Sequence, residues 1–125
     1  MIEVLPLTKD RVIALRMANM ISEAEIDRCS DTIGPLLNDE RRDFLLLDWS
    51  ELEGWEAGAK SVGTQFGMKS WASVVRIAIL AEPKWEDEQA RIADVFRAAT
   101  VRRFPPSQRD KAMAWLTAED APPAP

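Results

Sequence analysis

Two uninterrupted apolar runs limit what this chain can fold into more than any other feature of its sequence. Residues 44–47 are wholly apolar, and Arg76 alone interrupts the run at 74–80. Runs without polar alternation are typical of strands that are buried on both faces, as in a parallel sheet. Parallel neighbours need long crossover connections, which are usually helices. The two runs therefore predict an α/β fold.

The chain opens with two stretches that favour a β-hairpin. Residues 1–6 and 11–18 both read as strands, and the second contains the strand formers Val12, Ile13 and Leu15. The connection between the two stretches is short. We therefore expect the two strands to pair antiparallel.

A capping-box pattern predicts the first helix. Ser22 precedes Glu25 by three positions, so that the hydroxyl caps the first turn and the carboxylate reaches back to it. Ile26 and Cys29 then follow on one helical face. Cys29 is predicted to be a buried packing residue, because the chain has no histidine to activate a thiol nucleophile.

The middle of the chain predicts one strand and one weak helix. The strand that begins at residue 43 is expected to stop at Asp48 and Trp49, where polar residues follow. A helix is then predicted from about residue 54 to residue 70. Its interior glycines weaken it, since each costs about 1 kcal/mol relative to alanine.

The later segments continue the alternation. A third helix is predicted to begin at Pro83, an exposed strand to cover residues 100–104, and a last helix to follow. The order predicts a single α/β domain over residues 1–120, in which an opening β-hairpin precedes alternating helices and strands. Its sheet is mixed and mostly parallel, and about four helices cover it. The Ala/Pro tail at 121–125 is predicted to be flexible.

Composition excludes several classes of function. The net charge of −5 argues against nucleic acid as a partner, since such proteins need a basic field. One cysteine cannot form an internal disulfide, and the absence of histidine removes the commonest general base and metal ligand. No apolar run approaches the ~20 residues of a membrane span. We expect a cytoplasmic protein without cofactor, metal or catalytic residues, and therefore not an enzyme.

Several short stretches, taken in combination, carry a resemblance to a known family. They are Leu45-Leu46-Leu47-Asp48, Gly54-Trp55-Glu56, Arg76-Ile77-Ala78-Ile79, Trp85, Arg102-Arg103-Phe104 and Ala112-Met113-Ala114-Trp115-Leu116. With this order of elements, the chain resembles the SpoIIAA-like proteins of the STAS superfamily over most of its length. The resemblance implies a STAS-type fold, kinship with the lipid-carrying SEC14-type fold, and a hydrophobic ligand.

The chain departs from the resemblance at one functional position. Anti-anti-sigma factors of the superfamily carry a phosphorylatable serine in a turn before the second helix. That turn falls near Glu56-Ala57-Gly58-Ala59, which contains no hydroxyl. A phosphorylation switch needs that hydroxyl. The resemblance therefore predicts the fold without the switch.

Asp48 and Trp49 are the first candidate site residues. They follow a predicted buried parallel strand, and ligands of open α/β sheets bind outside the carboxyl ends of the strands. The commoner role of a residue such as Asp48 or Ser50 is to cap a following helix. Both interpretations remain open at this point.

Aromatic residues around the predicted second helix form the second candidate set. They could wall an apolar pocket with Asp48 at its mouth. Each of them could equally be ordinary core, since aromatic side chains dominate cores. The residues in question are Trp49, Trp55, Phe66, Trp71 and Trp85.

Other polar residues carry weaker hypotheses. Glu51, Glu53 and Glu56 lie close to Asp48, and such carboxylates could bind a cation or do acid–base work. A solvated acidic turn is the favoured interpretation, because the spacing of a calcium loop is missing. Arg102 and Arg103 could meet an anionic head group or partner, but a solvated strand edge is the favoured interpretation.

Together these observations predict a bacterial-type binding module that holds a small apolar or lipid-like ligand. The alternative is a protein–protein interaction domain whose apolar surface docks a partner or a second copy. An enzyme that uses the carboxylates ranks last. Peripheral contact with a membrane surface and a homodimer are further hypotheses.

Overall fold

A computed structural model describes residues 1–5, 12–33, 43–56, 74–96 and 99–118 of the chain. Five strands form one sheet in the order β1-β2-β3-β4-β5. The strands are β1 (Ile2–Leu5), β2 (Val12–Ile21), β3 (Asp43–Trp55), β4 (Val74–Leu80) and β5 (Thr100–Phe104). The α-helices are α1 (Glu23–Ile33), α2 (Glu86–Val95) and α3 (Arg109–Leu116), and a 3₁₀ turn at Pro83–Trp85 leads into α2.

The pairing of the strands confirms the predicted mixed, mostly parallel sheet. β1 pairs antiparallel with β2, with Ile2 opposite Met17, as the hairpin pattern predicts. The pairs β2–β3, β3–β4 and β4–β5 are all parallel. The two apolar runs of the sequence become β4 and the first half of β3, which lie side by side at the centre of the sheet.

The sequential strand order determines where the helices lie. Right-handed crossovers between neighbouring strands that always advance in one direction place their helices on the same face. Ile26 of α1 and Ile92 of α2 accordingly share one core with Leu47 of β3, and this side is called the α1/α2 face. Leu116 of α3 packs with Leu46 of β3 on the opposite side, the α3 face.

The capping box at the start of α1 is confirmed. The Glu25 backbone N–H donates to Ser22 Oγ over 3.2 Å, and the Ser22 N–H donates to Glu25 Oε2 over 3.0 Å. The two side chains thus bind backbone N–H groups that the helix itself leaves without partners. Ile26 and Cys29 are buried one turn further on, as the spacing predicts.

The predicted end of the middle strand is wrong, because β3 continues through Asp48 to Trp55. Its second half pairs with β2 as far as Ile21 opposite Trp55. Two register shifts, between Arg16 and Ala18 and between Asn19 and Met20, each place one extra residue on β3 and break the alternation of its side chains. Asn19 has a left-handed φ of 61°, which non-glycine residues seldom adopt.

The predicted second helix does not begin at residue 54, because Gly54 and Trp55 belong to β3. The rest of that prediction, from residue 57 onward, lies outside the described residues. The described segments contain three α-helices where about four were predicted. The predicted domain limit at residue 120 and the tail at 121–125 also lie outside the described part of the chain.

Candidate functional site

Three of the predicted site residues meet on the α1/α2 face. The ring of Trp49 lies edge-on to the ring of Trp55, with centroids 6.3 Å apart and planes at 83°. It makes a similar contact with Trp85, at 6.1 Å and 71°. Edge-to-face geometry is favoured between aromatic rings, because the positive edge of one meets the negative face of the other. We call these three residues the tryptophan triad.

Trp49 is the buried centre of the triad. It is 1% exposed, and its indole N–H points at Met17 Sδ on the neighbouring strand, 3.0 Å away. The alternating side chains of β3 place it on the same face as Leu45 and Leu47. Trp49 is therefore a core residue, and any ligand would meet its two neighbours first.

Trp55 and Trp85 form the accessible part of the triad. Both are half-buried and pack against the core of the α1/α2 face. Trp55 closes β3, whereas Trp85 ends the 3₁₀ turn that leads into α2. Two segments far apart in sequence thus each place a half-buried indole against Trp49. Apolar surface of this kind is what a site for an apolar molecule requires.

A buried carboxylate that the sequence analysis did not single out lies one helical turn after Trp85. Glu88 is 8% exposed, and its Oε1 accepts a hydrogen bond of 2.9 Å from Arg91 Nη1. Trp85, Glu88 and Ile92 are spaced to share one face of α2. The spacing could have identified Glu88 from the sequence, because a glutamate at an inward-facing helix position is rare.

Asp48 lies on the α3 face, so the sheet separates it from the tryptophan triad. Its Oδ1 accepts hydrogen bonds from Ser50 N (3.0 Å) and Ser50 Oγ (2.6 Å), and its Oδ2 accepts one of 2.5 Å from Arg109 Nη2. Burial opposes ionisation of Asp48, but the bonds from Ser50 and Arg109 outweigh it and lower its pKa. Asp48 therefore fastens α3 to the sheet and does not face the triad.

Asp48 is also not the helix cap that the alternative interpretation made of it. It lies within β3, and the turn it makes with Ser50 stays inside the strand. The strand order of the described sheet never reverses, so these strands form no crevice of the kind that binds ligands at a reversal of strand order. The position of Asp48 after an apolar run therefore does not place it in a ligand crevice of the described sheet.

The acidic residues after Asp48 lie on the strand and not in a turn. Glu51, Glu53 and Glu56 are all exposed, and Glu51 forms an ion pair with Arg16 of β2. Arg16 also pairs with Glu3 of β1 at 3.4 Å. Within the described segments, no group of acidic, cysteine or histidine side chains has the arrangement of a metal site.

Cys29 lies beside a groove of about 460 Å³, open mouth included, between β1 and α1. The groove is lined by Ile2 and Val4 on one side and by Glu25 and Arg28 on the other. Cys29 itself is 6% exposed, and burial raises the pKa of its thiol to about 12. The thiol therefore stays protonated and acts as a packing group, as the sequence predicted.

The structure thus brings together Trp49, Trp55 and Trp85 and places Asp48 elsewhere. Phe66 and Trp71, the other predicted wall residues, lie outside the described residues. Glu88 and Arg109 are not among the residues to which the sequence predicts a role. Nothing in the sequence pointed to Arg109, because its partner stands 61 positions away.

Arg102 and Arg103 occupy the edge strand β5, as interpreted from the sequence. The Arg102 guanidinium lies over the Phe104 ring, 4.8 Å from its centroid, and Arg103 Nη1 donates to the carbonyl of Ala81 over 3.3 Å. Of the helices that the structure describes, none combines the length and the apolar character needed to cross a bilayer.

Comparison with known proteins agrees with the fold. A protein of the DUF3478 family from Shewanella loihica PV-4, described as uncharacterized and as having a SpoIIAA-like fold, superposes with a TM-score of 0.70. The two sequences are 19% identical, and the alignment covers 93% of this chain and 92% of the other. No curated protein matches the chain. The SpoIIAA-like family model matches residues 12–117, and the chain belongs to the SpoIIAA-like family.

Proposed function

We propose that this chain is a non-catalytic carrier or regulatory module that binds a small apolar or lipid-like molecule at the tryptophan triad. The observation that carries the proposal is the pairing of two half-buried indoles, Trp55 and Trp85, on the fully buried Trp49. Trp49 is buried in the core, while Trp55 and Trp85 leave apolar surface that a ligand could contact. Such a mostly apolar wall with few polar groups is typical of small-molecule sites.

The polar chemistry of the described residues supports binding without catalysis. The ionised carboxylate of Asp48 is held by Ser50 and Arg109, and the thiol of Cys29 is protonated. Neither the carboxylate nor the thiol is free and activated as a nucleophile or a general base must be. We place the module in the cytoplasm, because the chain has a single cysteine and no apolar run long enough to span a membrane.

Native mass spectrometry of the freshly purified protein tests the proposal. We expect a species heavier than the chain by one small molecule, and this molecule should be released on denaturation. Replacing Trp55 by leucine should remove the extra mass. The matched control is Trp115→Leu, because Trp115 lies on the α3 face, where it contacts Phe104 at 5.9 Å.

Two results would contradict the proposal. One is a bare chain in every preparation, combined with no binding of added apolar probes. The other is equal loss of the bound molecule in the Trp55 and Trp115 variants, which would place the ligand away from the triad.

A protein-interaction domain is the second candidate. β4 pairs with β3 only as far as Asp48, so the second half of β3 and its partner β2 continue beyond that point. Met20 lies in this extension and is 44% exposed, which is unusual for a large apolar side chain. A chain that is bare in the mass spectrum but dimeric, and that becomes monomeric on Met20→Lys, would favour this candidate.

A further inference from the structure

The outer edge of β1 carries backbone groups that bond to no other strand of the described sheet. β1 stands at the end of that sheet and pairs with β2 alone. The Ala18 N–H donates to the Met1 carbonyl over 2.8 Å, so residues 1 and 18 form a hydrogen-bonded pair. Such pairs recur at every second residue of an antiparallel ladder. The N–H and C=O groups of Ile2 and Val4 therefore point away from β2.

The same two residues line the groove between β1 and α1, which we call the β1/α1 groove. The side chains of Ile2 and Val4 lie on the α1/α2 face, and Arg28 and Cys29 of α1 line the groove with them. In a strand pair, residues directly opposite each other point their side chains to the same face. A chain that bonded to Ile2 and Val4 would therefore direct every second side chain into the groove.

The charged residue of β1 does not obstruct this edge. Natural proteins often place charges on edge strands to prevent further pairing. Glu3 is the one charged residue of β1, and the alternation of side chains directs it to the opposite, α3 face. There it forms an ion pair of 3.4 Å with Arg16. The groove side of the edge thus presents only apolar side chains of β1.

Arg28 gives the groove a preference for negative charge. The carboxylate of Glu25, which also lines the groove, already accepts the Ser22 N–H over 3.0 Å in the capping box. Arg28 is exposed, and none of the ion pairs between described residues includes it. A carboxylate on a bound chain would meet this guanidinium, whereas a lysine would meet a like charge.

We propose that the β1 edge and the β1/α1 groove bind an extended segment of a partner protein, which adds antiparallel to β1. The main chain of the segment exchanges N–H···O bonds with Ile2 and Val4. Its groove-facing side chains are apolar, with one carboxylate beside Arg28. Strand addition of this kind takes affinity from main-chain bonds and selectivity from alternate side chains. No residue of the tryptophan triad lines this groove, so the inference is independent of the proposed function.

A seven-residue probe, acetyl-Thr-Val-Thr-Glu-Thr-Val-Thr-amide, tests the main-chain bonds on the full chain. Its valines and glutamate share one face, and their N–H groups point to β1 when that face enters the groove. N-methylation of both valines should weaken binding about tenfold or more, because it removes a donor and places a methyl group at the edge. N-methylation of the two central threonines, whose N–H groups point outward, is the matched control and should change the affinity little.

NMR titration locates the bound probe. In ¹H–¹⁵N spectra, the backbone amide signals of Ile2 and Val4 should move, and their exchange with solvent should slow. The amides of Val101 and Arg103 lie on β5, the other edge strand of the described sheet, and should stay in place as the internal control.

Two changes test the charge. Lysine in place of the glutamate of the probe should weaken binding about two- to fivefold, the size of an exposed ion pair. Arg28→Glu should reverse this preference. Arg102→Glu, on the exposed part of β5, is the control and should leave the preference unchanged.

Four results would overturn the inference. They are no binding of the probe, equal binding of its two N-methylated forms, movement of the β5 amides in place of those of β1, and slower exchange of Ile2 and Val4 at high protein concentration without any probe. The last result would assign the edge to a second copy of the chain. Should Arg28→Glu fail to fold, the probes on the wild-type protein decide: equal affinity of the glutamate and lysine forms overturns the charge preference.

Discussion

Arg109, at the start of α3, donates a hydrogen bond from Nη2 to Asp48 Oδ2 in β3 over 2.5 Å. The two residues stand 61 positions apart in the sequence, and their contact joins the last described helix to a central strand of the sheet. Asp48 is buried, whereas Arg109 remains partly exposed. The stability of this contact should therefore depend on whether the carboxylate is charged.

Asp48→Asn should lower the free energy of unfolding at pH 7 by about 2 kcal/mol, the size of a charged hydrogen bond. Burial opposes the ionised form, but Ser50 and Arg109 outweigh it, so the folded pKa of Asp48 lies below its usual value. A depressed pKa stabilises the fold above the unfolded pKa of about 3.9. That stabilisation is lost as the pH falls through the folded pKa.

Urea unfolding of the wild type and the variant at pH 7 and near pH 3 measures this dependence. The gap between the two proteins should narrow at the lower pH. Asp94→Asn, at an exposed position of α2, is the control and should change stability by less than about 0.5 kcal/mol. A gap of the same size at both pH values would show that the charge of Asp48 is not what stabilises the contact.

The thiol of Cys29 should react with a disulfide reagent only when the protein unfolds. Burial raises its pKa from 9.0 to about 12, which reduces the thiolate at pH 8 about a thousandfold. Labelling in native buffer should be slower than labelling in concentrated urea by at least this factor. Rapid native labelling would mean that α1 opens readily beside the groove.

Asn19 should tolerate glycine but not alanine. Its φ of 61° is left-handed, a conformation that costs an alanine about 1 kcal/mol and a glycine almost nothing. Asn19→Ala should therefore lower the urea midpoint, and Asn19→Gly should leave it near that of the wild type. Equal destabilisation by both changes would assign the role of Asn19 to its side chain instead of its backbone.

Arg76 should be one of the positions at which a substitution most lowers the stability of the protein. Its buried Nη1 donates to the carbonyls of Trp115 and Leu116, both at 3.2 Å, and to that of Ala118 at 2.9 Å. Arg76→Met leaves these carbonyls without the charged donor and should cost about 2–3 kcal/mol. Arg102→Met, on the exposed edge strand, is the control and should cost less than about 0.5 kcal/mol.

Features with a local physical cause could be predicted from the sequence. The Ser22–Glu25 capping box, the opening hairpin and the burial of Cys29 all depend on residues close together in the chain. The apolar runs identified the central strands, because burial on both faces leaves no alternation. These features were sufficient for the fold class.

The length of β3 could not be predicted, because its second half follows neither a strand nor a helix period. Trp49 and Leu52 are both buried, three positions apart, across the register shift that faces Arg16 and Ala18. From the sequence alone, the acidic residues that follow Trp49 predict a turn. Pairing with β2, which is set by tertiary structure, overrides that local signal.

The candidate site was predicted in part. The tryptophans were chosen for their apolar bulk, and three of them do meet on the α1/α2 face. Asp48 was assigned to the same site because it follows the apolar run, but adjacent positions of a strand point to opposite faces. The unpaired oxygen of Glu88 depends on three-dimensional packing, which no spacing rule encodes.

The coverage of the α3 face by one late helix has a consequence during synthesis. The five described strands and the helices α1 and α2 leave the ribosome before α3, since domains are made from the amino end at about 5–20 residues per second. Of the described helices, α3 alone packs with Phe44, Leu46 and Leu80, so none of these helices covers them until residues 109–116 emerge. The α3 face of the nascent sheet therefore remains an apolar surface without this helix until Ala112 and Leu116 emerge and pack against it.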